Sequence, residues 1–483
     1  MSIPSSDLDG TLKRARAAQL AWSVLPLSER LRPIANFRAR LAEEPNGLAE
    51  VVAEEIGKTR FEALGAEVLP LAEACAFLIR RAPKLLAPRR ETLCGTMPFS
   101  GVGYVHHLPW GIVASLVPWN YPLFLCGGPA LNALAAGNAI VMKPSPRAKK
   151  TVGAFAEWLY AAGIPKDLAP VLESSDEMGR QLTASPLIDR IIFTGSSATG
   201  RAVLTAAAKN LVPATVELSG FDAVFVIDDA DVKLAAAAVS FGVRFNAGRT
   251  CVCPRRVFVD KRVSAEFVSL VSERLTKRRL PEPMDPQTLR EADELAAKLD
   301  ATPNTRSLNG RKHGDANTAL AVLGGREALN AAQGNFVPAL VVMEVANSDE
   351  ALSLEQESPY ALGASIFTRS PHRADAIATH LRSGMVAVNE CIAPAGEAAL
   401  PFGGAKESGY GVRSGIEGLM EMTRPQAVAF ARGTFRPHHD AGPEAEQFLL
   451  ELLKARHSGS FFGRLKGWMR YAVEGAKWKP PVE

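Results

Sequence analysis

The chain carries two patterns of apolar residues. Residues 11–90 repeat apolar positions at helical spacing, as in LAEVVAEEIGKTRFEALGAEV, which predicts helices. From residue 102 onward, short apolar runs end at Gly, Pro or a polar turn: GIVASLVPW, NAIVMKPS, DRIIFTGS, ATVELSG and DAVFVID. Ala-rich stretches of helical length lie between them, such as GGPALNALAAG and GRAVLTAAAKNL. This alternation predicts an α/β fold in which helices cover a parallel sheet and ligands bind at the carboxyl ends of the strands.

The pattern changes again in the second half of the chain. Residues 276–335 predict a solvated helix in KRRLPEPMDPQTLREADELAAKLD and a polar loop in TPNTRSLNGRKHGDANT. Strand-like segments return at FVPALVVMEV, ALGASIFT and GMVAVNE. The composition shifts once more beyond residue 433, which separates a C-terminal tail from the rest.

Composition places the chain among ordinary globular proteins. A length of 483 residues exceeds a single hydrophobic core, so at least two domains are expected. A net charge of +4 is too small at this length to favour nucleic-acid binding. Six cysteines do not make a disulfide scaffold, and reduced thiols fit better. Neither a signal peptide nor a membrane span is evident, so a cytoplasmic location is expected.

Two of the cysteines are close neighbours in FNAGRTCVCPRR, residues 245–256. A structural metal site would need two more Cys or His ligands at close spacing, and none lies nearby, so no metal is predicted. A redox pair usually has CxxC spacing, and a buried cysteine often acts simply as a small apolar residue. However, Asn246, Gly248 and Thr250 surround Cys251 with small or polar residues where a core strand would place Val or Leu.

The same stretch resembles the nucleophile motif F-x-N-x-G-Q-x-C of the aldehyde dehydrogenase superfamily. Arg249 stands where that motif has Gln, and Cys253 is then a spectator. Further matching motifs are PWNYPLF (118–124), MKPS (142–145), FTGSSATG (193–200), VELSG (216–220) and PFGGAKESGYG (401–411). They occur in the family's order over about 102–430, so the chain resembles the NAD(P)-dependent, hydrolytic type of this superfamily.

The resemblance implies three catalytic residues. Cys251 would add to an aldehyde carbon and form a thiohemiacetal. The Asn120 amide and the Cys251 backbone N–H would stabilise its oxygen, although an Asn here could instead cap a turn. Glu217 would activate the water that hydrolyses the thioester to the acid, and an ion pair with an Arg is the alternative for this buried carboxylate.

The resemblance also implies a nicotinamide cofactor. Gly195, Ser196 and Gly200 belong to a turn and to a helix beginning near Thr199, whose N-terminal N–H groups would accept a diphosphate. Lys143 and Ser145 resemble residues that hold the adenosine ribose, and Trp119 is assigned to the same site. Pro146 stands where a Glu that favours NAD is frequent, so the cofactor is NAD or NADP.

Matched positions assign an apolar aldehyde pocket. Its residues are Tyr121, Leu125, Gly128, Phe245, Thr250 and Val252. Gly128 falls where many relatives carry a bulky side chain, which predicts a wide mouth and a long or aromatic aldehyde.

The chain also departs from the family pattern. An E-x-F-G-P stretch that contacts the nicotinamide ribose is missing, because only ANSDEALSLEQE separates FVPALVVMEV from SPYALGASIFT. Glu355 and Glu357 are assigned instead to a helix within that connection. Phe221 replaces a frequent Lys, and Val412-Arg413 replaces a frequent Arg-Glu. The alternative function is a weakly active or inactive scaffold in an assembly.

The resemblance implies three domains and leaves a tail. Residues 1–90 and 110–218 would form a Rossmann-type cofactor-binding domain, and 219–420 an α/β catalytic domain. Residues 91–109 and 421–433 would form a small bridging hairpin that joins a homodimer or tetramer.

The tail, residues 434–483, is basic and amphipathic. Its apolar residues share one helical face that basic residues border: Leu465, Trp468, Met469 and Ala472, with Arg464, Lys466 and Arg470 beside them. Contact with a membrane surface is predicted, and docking on its own domain or on a neighbouring subunit is the alternative.

Overall fold

The computed structural model describes residues 7–93, 101–431 and 442–477. The chain divides into two compact units, Met1–Leu85 with Leu108–Arg424 and Leu86–His107 with Pro425–Glu483. The α-helices are α1 (Leu8–Ser23), α2 (Leu27–Glu43), α3 (Pro45–Ile56), α4 (Arg60–Ala63), α5 (Leu69–Leu85), α6 (Pro122–Ala136), α7 (Lys149–Ala162), α8 (Asp176–Ala184), α9 (Ser197–Lys209), α10 (Val232–Arg244), α11 (Ser264–Lys277), α12 (Pro286–Asp300), α13 (Arg326–Ala332), α14 (Ser348–Gln356), α15 (Pro371–Ala378), α16 (Gly415–Met420), α17 (Pro443–His457) and α18 (Phe461–Lys477).

The strands confirm the predicted α/β alternation. They are β1 (Arg89–Thr92), β2 (Gly101–Pro109), β3 (Ile112–Val117), β4 (Ala139–Pro144), β5 (Arg190–Thr194), β6 (Ala214–Glu217), β7 (Asp222–Val226), β8 (Pro254–Asp260), β9 (Arg306–Ser307), β10 (Leu320–Leu323), β11 (Ala339–Val345), β12 (Tyr360–Ala361), β13 (Gly363–Phe367), β14 (Met385–Val388), β15 (Ala405–Lys406), β16 (Gly409–Tyr410) and β17 (Thr423–Ala431). Each apolar run that the sequence analysis assigned to a strand contains one.

The first sheet of the larger unit has the order β16-β6-β5-β3-β4. All neighbours are parallel except β16, which runs antiparallel to β6. Strand β4 is buried along its whole length and β3 at five of its six positions, as expected for strands that helices cover on both faces. The register pairs Leu116 with Lys143 and Thr194 with Glu217, so the predicted site residues collect at one edge.

The second sheet has the order β14-β13-β7-β8-β11-β10-β9 and is parallel except for β9. A large apolar core surrounds it and includes Phe225, Phe258 and Cys253. The chain passes from β6 to β7 through only four residues, 218–221. The carboxyl end of β6 therefore lies close in sequence to the start of the second sheet.

Helices fill most of residues 8–85, as predicted, whereas Arg89 and Arg90, at the end of the range predicted as helical, belong to β1. A π-helical segment, Leu64–Val68, joins α4 to α5. The side chain of Thr59 caps α4 by accepting a hydrogen bond from the backbone N–H of Glu62, and the Glu62 carboxylate accepts one from the Thr59 N–H. These two reciprocal hydrogen bonds hold the Glu62 side chain at the N-terminus of α4.

Two details of the larger unit differ from the prediction. Helix α9 begins at Ser197 with Ser196 as its cap, two residues before the predicted start. The helix predicted within 276–335 is present as α12, but β10 and α13 were not predicted. The run Leu320–Leu323 has only four residues after a long polar loop, so its apolar pattern was too short to detect.

The smaller unit contains a three-stranded sheet, β1-β2-β17, and the helix pair α17 and α18. Strands β2 and β17 occupy most of the predicted bridging hairpin, whose residues 94–100 and 432–433 lie outside the described residues. The predicted amphipathic tail helix is present as α18, and residues 434–441 and 478–483 of the tail also lie outside the described residues. No helix in the described part of the chain combines the length and apolarity required to cross a bilayer.

Candidate active site

The loop before Cys251 has an unusual backbone. Helix α10 ends at Arg244, and the next residues include Asn246, Ala247 and Gly248 at φ values of 49°, 50° and 71°. Left-handed backbone is uncommon for residues other than Gly, so Ala247 in particular is held there by its surroundings. A Cβ on Gly248 would lie 2.3 Å from the Pro338 Cα, so only Gly fits at that position.

The side chain of Arg249 holds this loop. Its Nε donates to the Asn246 carbonyl at 3.0 Å, and its Nη2 donates to Asn246 Oδ1 at 3.2 Å. Nη2 also donates to the Gly57 carbonyl at 3.1 Å, and Nη1 lies 3.5 Å from Asp285 Oδ2. The residue that replaces the family's Gln therefore ties the loop to the N-terminal helices and to the start of α12.

Asn120 is attached to the same loop. Its Nδ2 donates to the Arg249 carbonyl at 3.1 Å, and its own carbonyl accepts from Asn246 Nδ2 at 3.1 Å. The side chain does not cap the adjacent helix α6, whose cap position is Tyr121 and has no side-chain hydrogen bond. The structure thus brings Asn120 next to the Cys251 loop, as the sequence analysis expected.

The two neighbouring thiols differ in their surroundings. Cys251 keeps partial exposure and lines a cavity, whereas Cys253 is fully buried in the core of the second sheet. Burial, assisted by the neighbouring Glu217 carboxylate, raises the pKa of the Cys251 thiol to about 12, and the Arg413 guanidinium opposes this shift. A Cβ on Gly220 would lie 2.4 Å from the Cys251 carbonyl oxygen, so Gly220 lets the β6–β7 connection touch the nucleophile loop.

Glu217, the last residue of β6, is paired with Arg413. The Arg413 Nε donates to Glu217 Oε1 at 3.1 Å, and each side chain is only 6% exposed. The Thr194 hydroxyl donates to Glu217 Oε2 at 3.5 Å. Burial raises the pKa of Glu217, and Arg413 opposes that shift.

The ion pair considered for Glu217 from the sequence is therefore present. A carboxylate in an ion pair can still accept a proton, so the role of Glu217 as a general base stays a prediction. The sequence analysis did not identify Arg413 as a site residue. The only signal was its departure from the family's Arg-Glu pair.

A cavity of about 1100 Å³ extends from Cys251 along the edge of the first sheet. It is lined by most of the predicted cofactor residues: Trp119, Lys143, Ser145, Gly195 and Ser196, together with Asn120. Ser196 caps α9 by accepting a hydrogen bond from the Thr199 N–H at 3.3 Å. Burial lowers the pKa of Lys143, and Asp176 opposes this shift.

Gly200 does not line this cavity. A Cβ on it would lie 2.5 Å from a methyl carbon of Leu218, so its small size lets α9 pack against the β6–β7 connection. Arg180 of α8 does line the cavity and was not predicted, because nothing in its local sequence marks it.

The predicted aldehyde-pocket residues fall into two groups. Tyr121, Leu125 and Phe245 form a buried cluster with Phe124, and the Tyr121 hydroxyl lies 2.5 Å from Thr250 Oγ1. Val252 packs separately with Leu362, Met385 and Phe402. Ile392 packs against both clusters and so links them. At Gly128 a Cβ would meet no atom within 4 Å.

Comparison with known proteins decides the family. A family model described as the aldehyde dehydrogenase family matches residues 2–428. The chain belongs to the aldehyde dehydrogenase family. A 4,4'-diapolycopene aldehyde oxidase of a Methylomonas species is 32% identical over 431 residues, which cover 86% of this chain and 80% of that relative.

Two further aldehyde dehydrogenases extend the comparison. A Mycolicibacterium smegmatis protein named as a candidate NADP-dependent succinate-semialdehyde dehydrogenase is 32% identical over 89% of this chain and 85% of its own length. The NADP-dependent glyceraldehyde-3-phosphate dehydrogenase of Bacillus halodurans, solved with NADP, has a TM-score of 0.82 and 28% identity. That match covers 89% of this chain and 92% of the solved one, so the fold is confirmed.

The shortened connection of this aldehyde dehydrogenase is compact. Strand β11 ends at Val345 and helix α14 begins at Ser348. Glu355 lies within α14, 3.9 Å from Arg256, and Glu357 directly follows the helix, close to the predicted placement. Across the cavity, the rings of Trp119 and Phe336 lie edge to face at 6.4 Å.

Proposed function

We propose that this aldehyde dehydrogenase oxidises an aldehyde to the carboxylic acid with NAD or NADP, through a covalent adduct on Cys251. The observation that carries the proposal is the single cavity that Cys251 shares with Asn120 and with the residues beside the N-terminus of α9. A nucleophile, an amide donor and an anion-binding helix end within one cavity suit this reaction better than a purely structural role.

The residues of the cavity fit a dinucleotide. Its volume of about 1100 Å³ lies just above the range of about 300–1000 Å³ that is usual for small-ligand pockets. The N-terminus of α9 and Ser196 would hold the diphosphate, and Lys143 and Ser145 the adenosine ribose. When bound, the nicotinamide supplies the acceptor for hydride.

The chain's own groups account for the first half of the reaction. The Cys251 sulfur adds to the aldehyde carbon, and the carbonyl oxygen becomes an alkoxide. We assign that oxygen to the Cys251 N–H and to the second N–H of Asn120 Nδ2, whose first N–H donates to the Arg249 carbonyl. Such donors typically stabilise the transition state by about 3–4 kcal/mol each. Loss of hydride from the adduct then leaves a thioester on Cys251.

Hydrolysis completes the reaction. Glu217 accepts a proton from water, the water oxygen bonds to the thioester carbon, and the C–S bond breaks to release the acid and the thiolate. A buried carboxylate with a raised pKa is suited to this step.

The cofactor preference that we propose includes NADP. No carboxylate follows Ser145, since Pro146 occupies that position, and Arg180, whose guanidinium pairs with Glu177 at 3.0 Å, lines the cavity. A guanidinium favours a phosphate, and two of the compared relatives carry NADP in their names.

The substrate that we propose is a long or aromatic apolar aldehyde. Cys251 packs against the apolar cluster that contains Val252, and the cluster that contains Tyr121 contacts the preceding residue, Thr250. The open space at Gly128 leaves room near Leu125 of the second cluster, one helical turn away. A relative named for a diapolycopene aldehyde supports this class, whereas a relative named for a succinate semialdehyde represents the short, charged alternative.

We further propose that Phe336 and Trp119 take over part of the role of the missing E-x-F-G-P stretch. Both line the cavity that holds Cys251, and their rings are in contact there. Cation–π contact from Arg147, 3.5 Å above the Trp119 ring, fixes that indole.

The experiment for the function is NAD(P)H formation from a panel of aldehydes, with Cys251→Ala as the control. The proposal expects turnover that depends on Cys251 and free acid as the product. A protein that binds the cofactor but shows no Cys251-dependent signal with any aldehyde would instead be the scaffold.

The tail is proposed to contact an anionic membrane surface. Gly467 and Tyr471 of α18 face α17, and the Phe448 and Tyr471 rings lie 4.6 Å apart. The opposite face of α18 is apolar and exposed, with basic residues along both borders: Phe461, Phe462, Leu465, Trp468, Met469 and Val473, bordered by Arg464, Lys466 and Arg470. Such a face fits the boundary between lipid headgroups and acyl chains.

Sedimentation with phosphatidylglycerol vesicles tests this contact in the full chain. We expect binding that Leu465→Ser with Trp468→Ser weakens at least tenfold, and that phosphatidylcholine vesicles do not support. Leu20→Ser with Phe61→Ser removes apolar side chains elsewhere that are more exposed than Leu465 and Trp468, and serves as the control. Equal sedimentation of all three proteins would refute the membrane contact.

The three-stranded sheet of the smaller unit is proposed to join subunits of a homodimer or tetramer.

A further inference from the structure

Arg413 pairs with Glu217 but has no role in the reaction steps proposed above. Its guanidinium lies over the rings of Phe124 and Phe402, with its central carbon 4.9 and 4.2 Å from their centres. Nη2 donates to the Ala395 carbonyl at 3.4 Å, and Nε donates to Glu217 Oε1. The side chain is 6% exposed, so its orientation is fixed from several sides.

The charges around this guanidinium are few. Within the described ranges, Arg413 lowers the pKa of both Glu217 and Cys251, and Asp222 is a further acid that acts on Cys251. Burial keeps the pKa of Asp222 well above its ordinary value, so that carboxyl adds little negative charge. Arg413 is therefore the cation that offsets the charge of both reactive groups.

Thioester hydrolysis requires negative charge first on Glu217 and then on Cys251. Before the step, Glu217 must be ionised in a buried site, and after it the Cys251 sulfur leaves as a thiolate nearby. Two buried negative charges disfavour each other, and a neighbouring cation favours the ionised form of each. A neutral side chain at position 413 would leave Glu217 protonated over a wider pH range.

We propose that Arg413 is a positioning residue that keeps the Glu217 carboxylate ionised and oriented beside Cys251 during thioester hydrolysis, an inference that rests on the proposed function. The residue acts through Glu217 and does not itself exchange a proton. Because the pairing makes Glu217 a weaker base but keeps it ionised at lower pH, Arg413 extends hydrolysis toward acidic conditions and limits its rate under alkaline ones.

The inference makes a distinctive prediction for Arg413→Gln. The pH profile of kcat should shift to higher pH, with about a tenfold loss below the transition for each unit by which the pKa rises. Above the transition the variant should equal or exceed the wild type, so the two profiles cross. The initial burst of NAD(P)H should keep its amplitude at low pH, because hydride loss precedes hydrolysis, although its rate should fall several-fold with the reactivity of Cys251.

Control variants separate this role from a structural one. Arg413→Lys keeps the charge and should restore the acidic limb in part, which also covers the case in which the Gln variant does not fold. Arg190→Gln removes another buried arginine, one paired with Glu421 at the opposite end of β5, and should leave the profile in place. A uniform loss of rate at every pH in the position-413 variants, or an unchanged profile, would overturn the inference.

A second measurement does not require turnover. Alkylation of Cys251 by iodoacetamide, followed by peptide mass spectrometry, should slow several-fold at fixed pH in Arg413→Gln and should be absent in Cys251→Ala. If no aldehyde is oxidised but alkylation still depends on Arg413, the proposed function fails and the electrostatic effect of Arg413 stands. If aldehydes are oxidised and neither readout depends on Arg413, only this inference fails.

Discussion

The Arg249 guanidinium donates through Nε to the carbonyl oxygen of Asn246 at 3.0 Å, so a side chain two residues before Cys251 closes the left-handed turn that precedes it. The same guanidinium reaches Gly57 and Asp285, which belong to distant parts of the chain. One arginine therefore stabilises a costly backbone conformation and anchors it to the surrounding fold.

Arg249→Gln, which restores the residue frequent in the family, should weaken this anchor. The shorter amide cannot reach both Asn246 and Gly57, and losing hydrogen bonds from a charged group costs about 1.5–3 kcal/mol of the free energy of unfolding. Urea denaturation measures that loss. Arg147→Gln, which removes the other guanidinium paired with Asp285, is the control, and an equal loss in both variants would contradict the special role of Arg249.

Asn120→Ala should slow the formation of the covalent adduct. Removing one donor to a developing oxyanion lowers kcat about 10²–10³-fold. Stopped-flow measurement of the NAD(P)H burst tests this, with cofactor affinity as the internal control because Asn120 Nδ2 is assigned to the substrate oxygen. A normal burst rate would assign Asn120 to support of the loop alone.

Gly128→Phe should narrow the range of aldehydes. Since a Cβ there meets open space, we expect no loss of stability, at least a tenfold fall in kcat/KM for long aldehydes and little change for short ones. Gly127→Ala is the contrasting variant, because its Cβ would lie 2.6 Å from a methyl carbon of Leu71 and should lower the melting temperature. Equal loss for short and long aldehydes would argue against the wide mouth.

Arg180→Gln tests the cofactor proposal. Because a guanidinium beside the cavity would favour a 2′-phosphate, the KM for NADP should rise about tenfold while the KM for NAD changes little. Steady-state kinetics with each cofactor gives the ratio. A parallel change for both cofactors would show that Arg180 does not read the 2′-phosphate.

Asp222 should make the protein less stable as pH rises. Burial raises its pKa well above 3.8 in the folded state, and the backbone N–H of Gly363 opposes this only in part. Between the unfolded and folded pKa values the unfolded chain is ionised while the folded one holds the proton, so the free energy of unfolding falls with increasing pH.

Asp222→Asn should therefore flatten the decline in melting temperature between pH 5 and pH 8. Asp260→Asn is the opposite case: the Arg262 side chain lowers the pKa of Asp260, whose contribution to stability is lost as pH falls. Melting curves of both variants across pH give the two signs, and a wild-type slope in Asp222→Asn would contradict the assignment.

The sequence predicted the fold well where the signal was local. Apolar runs with clear ends became strands, and the small, polar neighbours of Cys251 distinguished it from the buried Cys253. Local patterns do not report contacts between distant residues. The pair of Glu217 with Arg413 joins positions 196 residues apart, and neither residue's neighbours mark the other.

The backbone of the nucleophile loop was beyond local reasoning for a different reason. Ala247 has no preference for left-handed backbone, so its conformation comes from Arg249 and the packing around Gly248. Likewise Val252, next to Cys251, was grouped with Tyr121 but packs with Phe402, because adjacent residues can point into different clusters.

The hydrogen bond from the Asn246 N–H to Glu62 Oε1 spans 184 residues. During synthesis the N-terminal helices can form long before Asn246 leaves the ribosome. The turn before Cys251 gains this hydrogen bond only when Asn246 has emerged and can reach Glu62. Formation of long-range contacts is slow compared with helix growth. The loop that carries Cys251 is thus held by a segment made at the very start of synthesis, and a chain that had lost its N-terminal helices would keep the thiol without this anchor.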